Sequence, residues 1–125
     1  MYNVVTEAVV AYIKAQYDCA PEFLWARTPN NAAIRHRENR KWFAALMLAL
    51  PLKHLGLTNG GCADVINLKC DPRMIGSLVD GKRYFPGYHM NKEHWITVLL
   101  DGSIPAGEIF PLIDLSFDLT AQKKR

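Results

Sequence analysis

The chain has 125 residues, half of them hydrophobic and 22% charged, and its 15 Lys and Arg against 12 Asp and Glu give a net charge of +3. That length and balance predict one domain with a real core and exclude intrinsic disorder or two ordinary domains. A surplus of three charges is far below that of a dedicated non-specific nucleic-acid binder, so bulk charge neither shows nor excludes DNA binding.

Val4, Val5, Ala8, Val9, Tyr12 and Ile13 recur at helical spacing behind Asn3, whose side chain can accept an amide of the first turn. A helix over residues 4–17 is predicted, stopped by Ala20-Pro21 because proline disfavours helix in the residue before it. Ala33-Ile34-Arg35-His36-Arg37 alternates in part, Glu38-Asn39-Arg40 is turn-like, and residues 42–50 form a long apolar run ending at Pro51. These read as a hairpin with one strongly buried strand. Ala, Leu and Met also suit a helix over 42–50, and the preceding turn favours the strand.

Gly56, Asn59-Gly60 and Gly61 make residues 53–61 a connection, and Val65-Ile66-Asn67-Leu68-Lys69-Cys70 is strand-like. Asp71-Pro72 then supplies an acidic N-cap and a proline at the first helical position. The expected helix buries Met74, Ile75, Leu78 and Val79 and stops at Gly81. Residues 84–90 read as irregular around Pro86-Gly87. His94-Trp95-Ile96-Thr97-Val98-Leu99-Leu100 reads as a fourth strand ending in the turn pair Asp101-Gly102. Ser103 is the expected cap of a last helix carrying Ile109, Leu112, Ile113 and Phe117 on one face, with Pro111 inside it and a basic end at Lys123-Lys124-Arg125. The order lacks regular strand-helix alternation, so the fold class is α+β, an antiparallel sheet with helices packed on one face.

The longest apolar run, residues 42–52, is too short to span a bilayer, and Met1-Tyr2-Asn3-Val4 lacks the basic start of a signal peptide. Cys19, Cys62 and Cys70 are odd in number and sparse. A cytoplasmic, reduced protein with no membrane association is expected, with a monomer as the default state.

Three blocks resemble the signature segments of the MmcQ/YjbR family. They are Asn67-Leu68-Lys69-Cys70-Asp71-Pro72, the run from Pro86-Gly87-Tyr88-His89-Met90-Asn91 through Lys92-Glu93-His94-Trp95-Ile96-Thr97-Val98, and Leu100-Asp101-Gly102-Ser103-Ile104-Pro105. Asp114-Leu115-Ser116-Phe117-Asp118-Leu119 is similar to the end of that family's last helix. Arg35-His36-Arg37 and Lys41-Trp42-Phe43 are similar to its first hairpin. Phe117 stands where a tyrosine is usual, and Pro111 where an ordinary helix former is. The resemblance implies a single domain with a double-wing, frataxin-like (CyaY-like) fold and a DNA-binding role. It implies no catalytic residues and no cofactor.

Two segments are candidates for contact with DNA. Arg35, Arg37, Arg40 and Lys41 surround a single acid, Glu38, at the hairpin tip. As a wing they would track phosphates; as a charged edge strand they would only prevent aggregation. In the stretch from Tyr88 to Trp95, Lys92 can meet a phosphate and Asn91 a base edge or phosphate, although Asn91 also suits a turn and Trp95 a core. Phosphate contacts would dominate, with modest sequence specificity. The alternative function is a small-molecule or protein interaction module with a pocket around Tyr84, Tyr88, His89, His94 and Trp95. Lys69 is expected to pair with Asp71 or Asp64. His89 and His94, even with Cys70, lack the close paired spacing of a zinc site, and no nucleophile elbow, phosphate loop or dinucleotide fingerprint occurs, so neither a metal nor an enzyme is expected.

Arg37→Glu combined with Arg40→Glu is expected to leave folding nearly intact, because exposed substitutions cost little. A large drop in melting temperature would mark these arginines as structural.

Overall fold

In the computed structural model, which describes residues 3–58 and 60–121, helix α1 spans Val4–Tyr17, as its apolar spacing predicts. The Asn3 side chain accepts the Thr6 amide at 2.8 Å, and Asp18, in the left-handed conformation, donates its amide to the Lys14 carbonyl at the other end. Five strands follow: β1 (Asn31–Arg35), β2 (Trp42–Pro51), β3 (Cys62–Lys69), β4 (Tyr84–Pro86) and β5 (Trp95–Leu99). Helix α2 (Pro72–Leu78) separates β3 from β4, and α3 (Ala106–Thr120) comes last. The strands form one antiparallel sheet in the order β1-β2-β3-β5-β4, so the α+β class is as expected.

Side chains alternate across a strand. Ala32, Ile34, Leu46, Ile66, Leu68, Ile96 and Val98 therefore share one face, where they form the main core with Val9 and Ile13 of α1 and Ile109 and Ile113 of α3. Residues 42–50 belong to a strand. Its apolar run is continuous because Ala44 and Leu46 face the helices while Ala45 and Met47 are buried on the other side, and two buried faces erase the alternation. Tyr12 and Tyr17 of α1 both donate their hydroxyls to Asp114 of α3, at 2.8 and 2.5 Å. Their rings stack on Phe110 and Phe117. Burial, then the Asp114 carboxylate, pushes the Tyr17 hydroxyl well up, which keeps it a donor.

The β1-β2 ladder steps from Ile34↔Ala44 to Arg35↔Trp42, leaving Phe43 as the extra residue of a bulge. Phe43 packs its ring against Tyr17, His36 and Phe117 on the helix side. The buried Ser116 hydroxyl of α3 reaches between two strands there. It accepts the Lys69 amide at 2.8 Å and donates to the Phe43 carbonyl at 2.5 Å, satisfying both where the bulge opens the ladder.

Both sheet edges are blunted. Glu22 and Ala33 exchange two backbone bonds, at 2.8 and 3.0 Å, along the outer side of β1. At the other edge β4 has three residues, one of them Pro86, which has no amide to offer.

Four local expectations are corrected. Strand β4 lies in the segment read as irregular, too short to display alternation. Helix α2 buries none of its residues fully: Ile75 and Leu78, with Val79 just past its end, rest half-buried on the core while Met74 is 38% exposed. It also ends before Gly81, because the Asp80 carboxylate accepts the amides of Lys82, Arg83 and Tyr84 at 2.9, 2.9 and 3.1 Å and turns the chain into β4. These amides hold the Asp80 carboxyl down to about 2. Finally, Ser103 caps no helix, since its hydroxyl and amide bond Asp101 in the preceding turn and α3 starts behind Pro105. Asn59 and the basic Lys123-Lys124-Arg125 lie outside the described residues. Among those described, no helix is long and apolar enough to cross a membrane.

Ser116→Ala removes a group that satisfies two buried backbone atoms and is expected to lower stability by about 1–3 kcal/mol. Urea unfolding with an earlier midpoint and an unchanged slope is the expected result; an unchanged midpoint would mean the strands re-pair without the hydroxyl.

Candidate functional site

The sheet face turned away from the helices is only partly covered. At one end Leu52 and, half-buried, Leu55, Leu57 and Tyr88 cover Met47, Leu50, Val65, Phe85 and Leu99 in a second, smaller core. In the middle, Asn67 of β3 and Thr97 of β5 are cross-strand neighbours with no exposed surface. Burying two polar side chains is tolerable only with partners. The Thr97 hydroxyl donates to the Asn67 side-chain oxygen at 2.5 Å and accepts the Tyr88 amide at 2.8 Å, while the Asn67 amide donates to the Tyr88 carbonyl at 2.9 Å.

This network pins the loop between β4 and β5 across the open face. Gly87 donates its amide to the Trp95 carbonyl at 3.0 Å, so close that an added Cβ would lie 2.8 Å from that of Trp95. The Lys92 ammonium donates to the Gly87 carbonyl at 2.9 Å. Asn91 accepts the Glu93 amide on its side chain at 2.8 Å and the His94 and Trp95 amides on its carbonyl, at 3.2 and 3.0 Å. It thus shapes the turn, and Lys92 braces the loop. Between these anchors His89 sits at φ 60°, a left-handed conformation that histidine adopts more readily than most side chains.

Register places the hairpin tip, the end of β3 and this loop at one end of the sheet. There the open face carries Arg35, Trp42, Lys69 and Trp95, one from each of four neighbouring strands, all half-buried. The hairpin cations are largely engaged. Arg35 forms a bidentate pair with Glu22 at 3.1 and 2.5 Å, Arg40 shares that carboxylate at 3.2 Å, and Arg37 pairs with Asp18. Arg35 lowers the Glu22 carboxyl below its usual range, and Lys14, ahead of Arg37, does so for Asp18. Lys41 and Lys69 have no carboxylate partner among the described residues. The expected pairing of Lys69 does not form: Asp71 binds Arg73 at 2.8 Å, and Asp64 accepts the Thr6 hydroxyl and the Ala49 amide.

The five residues expected around one pocket do not line a common one, although the rings of Tyr88 and His89 lie 4.0 Å apart. Tyr84 packs on the helix-side core, Tyr88 stacks on His54 and bonds its ring nitrogen at 3.1 Å, and His94 is exposed beside the Asn91 turn. Trp95 stands in the cross-strand row, and His89 alone of the five lines an open-face cleft of 280 Å³. Its walls are Trp25, Trp42, His89 and Met90 over Ala45 and Met47, with Thr28 and Asn31 at one side. Trp25 meets Trp42 edge-on at 5.4 Å and is 36% exposed. The exposed apolar triplet Phe23-Leu24-Trp25 was the available signal for this wall, and it was missed because it falls in a segment without periodicity.

A larger cavity of 410 Å³ lies on the helix side, lined by Tyr17, Cys19, His36 and Phe117 among others. Burial pushes the Cys19 and Cys70 thiols up and His36 down, so all three favour their neutral forms. The His36 Nε2 meets the Thr120 hydroxyl at 2.7 Å. Among the described residues no three His, Cys, Asp or Glu side chains cluster as metal ligands.

Comparison with known proteins matches the YjbR family model to residues 14–119. The chain is 44% identical to the uncharacterised Bacillus subtilis protein YyaQ over 114 residues, which is 91% of this chain and 96% of the relative. The crystal structure of a Pseudomonas syringae protein superposes with a TM-score of 0.86 at 43% identity, covering 92% of this chain and 97% of that one. A Deinococcus radiodurans structure shares the fold at a TM-score of 0.69 and 21% identity, covering 94% and 79%.

Gly87→Ala drives a Cβ into Trp95 and is expected to cost about 1–3 kcal/mol, with faster amide exchange across residues 87–95 than in the helices. Uniform exchange at wild-type levels would show that the loop accommodates the methyl.

Proposed function

The chain belongs to the YjbR family, and for this member we propose a nucleic-acid-binding role without catalysis: a monomeric cytoplasmic protein that meets DNA with the exposed end of its sheet. The observation that carries the reading is the row Arg35, Trp42, Lys69 and Trp95, which alternates cations with aromatic faces across four adjacent strands. Cations answer phosphates and aromatic faces stack on bases, so this alternation suits a nucleic-acid strand lying across the sheet. Lys69 in this row has no carboxylate partner among the described residues, which leaves its charge for a phosphate. The helices favour the same surface, because α1 and α3 are committed to the core and α2 has two turns, too little for a groove-reading helix. Burial raises the Cys19 and Cys70 thiols, which disfavours the thiolate that nucleophilic chemistry at either would need.

A pocket module for a small apolar molecule is the second reading. It is favoured by the ion pairs through which Glu22 and Asp18 neutralise three of the four hairpin cations.

Fluorescence anisotropy of labelled DNA tests the proposal, titrated with wild type and with Lys41→Glu, Lys69→Glu at several salt concentrations. Binding that weakens as salt rises, and falls about tenfold or more in a folded double variant, is expected. No binding at low salt would transfer the weight to the pocket module.

A further inference from the structure

We propose that the open-face cleft receives one unstacked base of a single strand, so that the protein prefers single-stranded over duplex nucleic acid. This rests on the nucleic-acid reading and adds the conformation of the ligand. The cleft adjoins the cation-aromatic row, since Trp42 belongs to both. Its volume of 280 Å³ falls just below the range of roughly 300–1,000 Å³ typical of ligand pockets, which leaves room for a single ring system. Two walls are indoles, and the floor of Ala45 and Met47 is apolar, which suits the face of a base.

The rim suits the rest of a nucleotide. The lining contains no carboxylate, so nothing in it repels the phosphates attached to a bound base. The Asn31 side chain and the His89 ring form no hydrogen bond among the described residues and are available to the edge of a base. His89 sits left-handed at φ 60°, as Asp18, Arg40 and Ala49 also do, and its ring lines the cleft. A duplex cannot deliver a base to this cleft without unpairing it, which opposes duplex binding.

The test compares a labelled single-stranded oligonucleotide with its duplex at one salt concentration, using wild type, Trp25→Ala and His89→Gly. Trp25 is exposed enough to be removed without opening the core, and His89→Gly relieves strain, so retained or raised melting temperatures are expected for both. The proposal predicts at least about tenfold tighter binding of the single strand and a loss of about fivefold or more in Trp25→Ala, in line with one stacked base. His89→Gly should weaken single-strand binding while residual duplex binding stays level. Equal affinity for both forms, or full single-strand affinity in both variants, overturns the base-in-cleft inference and leaves the nucleic-acid reading standing. Absence of binding to either form overturns both.

Discussion

The open side of this protein depends on one buried polar contact, the Asn67-Thr97 pair. Two hydrogen-bonding side chains at the centre of an otherwise apolar sheet would cost several kcal/mol if left unmatched. Their partners are the amide and carbonyl of a single residue, Tyr88, so the contact ties the β4-β5 loop to the sheet by its backbone. The close approach of Gly87 to Trp95 and the Lys92 brace follow from that placement. The left-handed His89 stands between this pin and the Asn91 turn.

The same pin sets the shape of the exposed surface. It divides the open face into a covered end, filled by the leucines around Val65 and Phe85, and an end where Trp42, Lys69 and Trp95 remain half-exposed. The hairpin meets this second end with cations already matched to Glu22 and Asp18. The Arg37–Asp18 pair is solvated, and exposed pairs of that kind contribute little to stability, whereas Arg35 and Glu22 are half-buried. On the other side of the sheet, Ser116 bridging β2 and β3 and Asp114 holding two tyrosines fix α3 against the strands and α1.

Much of the architecture was legible in the chain. Helix α1 ends where its periodicity and caps place it, the hairpin and the strands β3 and β5 lie within a few residues of their expected limits, and the Asp71-Pro72 start of α2 holds. These features are local, set by spacing, capping and turn residues within a few positions. The errors have two causes. Strand β4 is decided by its pairing with β5, whereas the early end of α2 and the uncapped start of α3 are decided by nearby carboxylates, Asp80 and Asp101, that win over the glycine stop and the serine cap.

The site was legible as a set of residue types and hidden as an arrangement. The sequence by itself determined an α+β domain, which segments were charged or aromatic, and that Pro86-Gly87 through Trp95 carried information. Only the tertiary structure decided that Asn91 and Lys92 brace a loop, that Tyr84 and His89 lie on opposite faces, and that Trp25 closes a cleft with Trp42. The reason is physical. A side chain's surroundings depend on strand register and on which face of the sheet each segment crosses, and those are fixed by pairing between residues tens of positions apart.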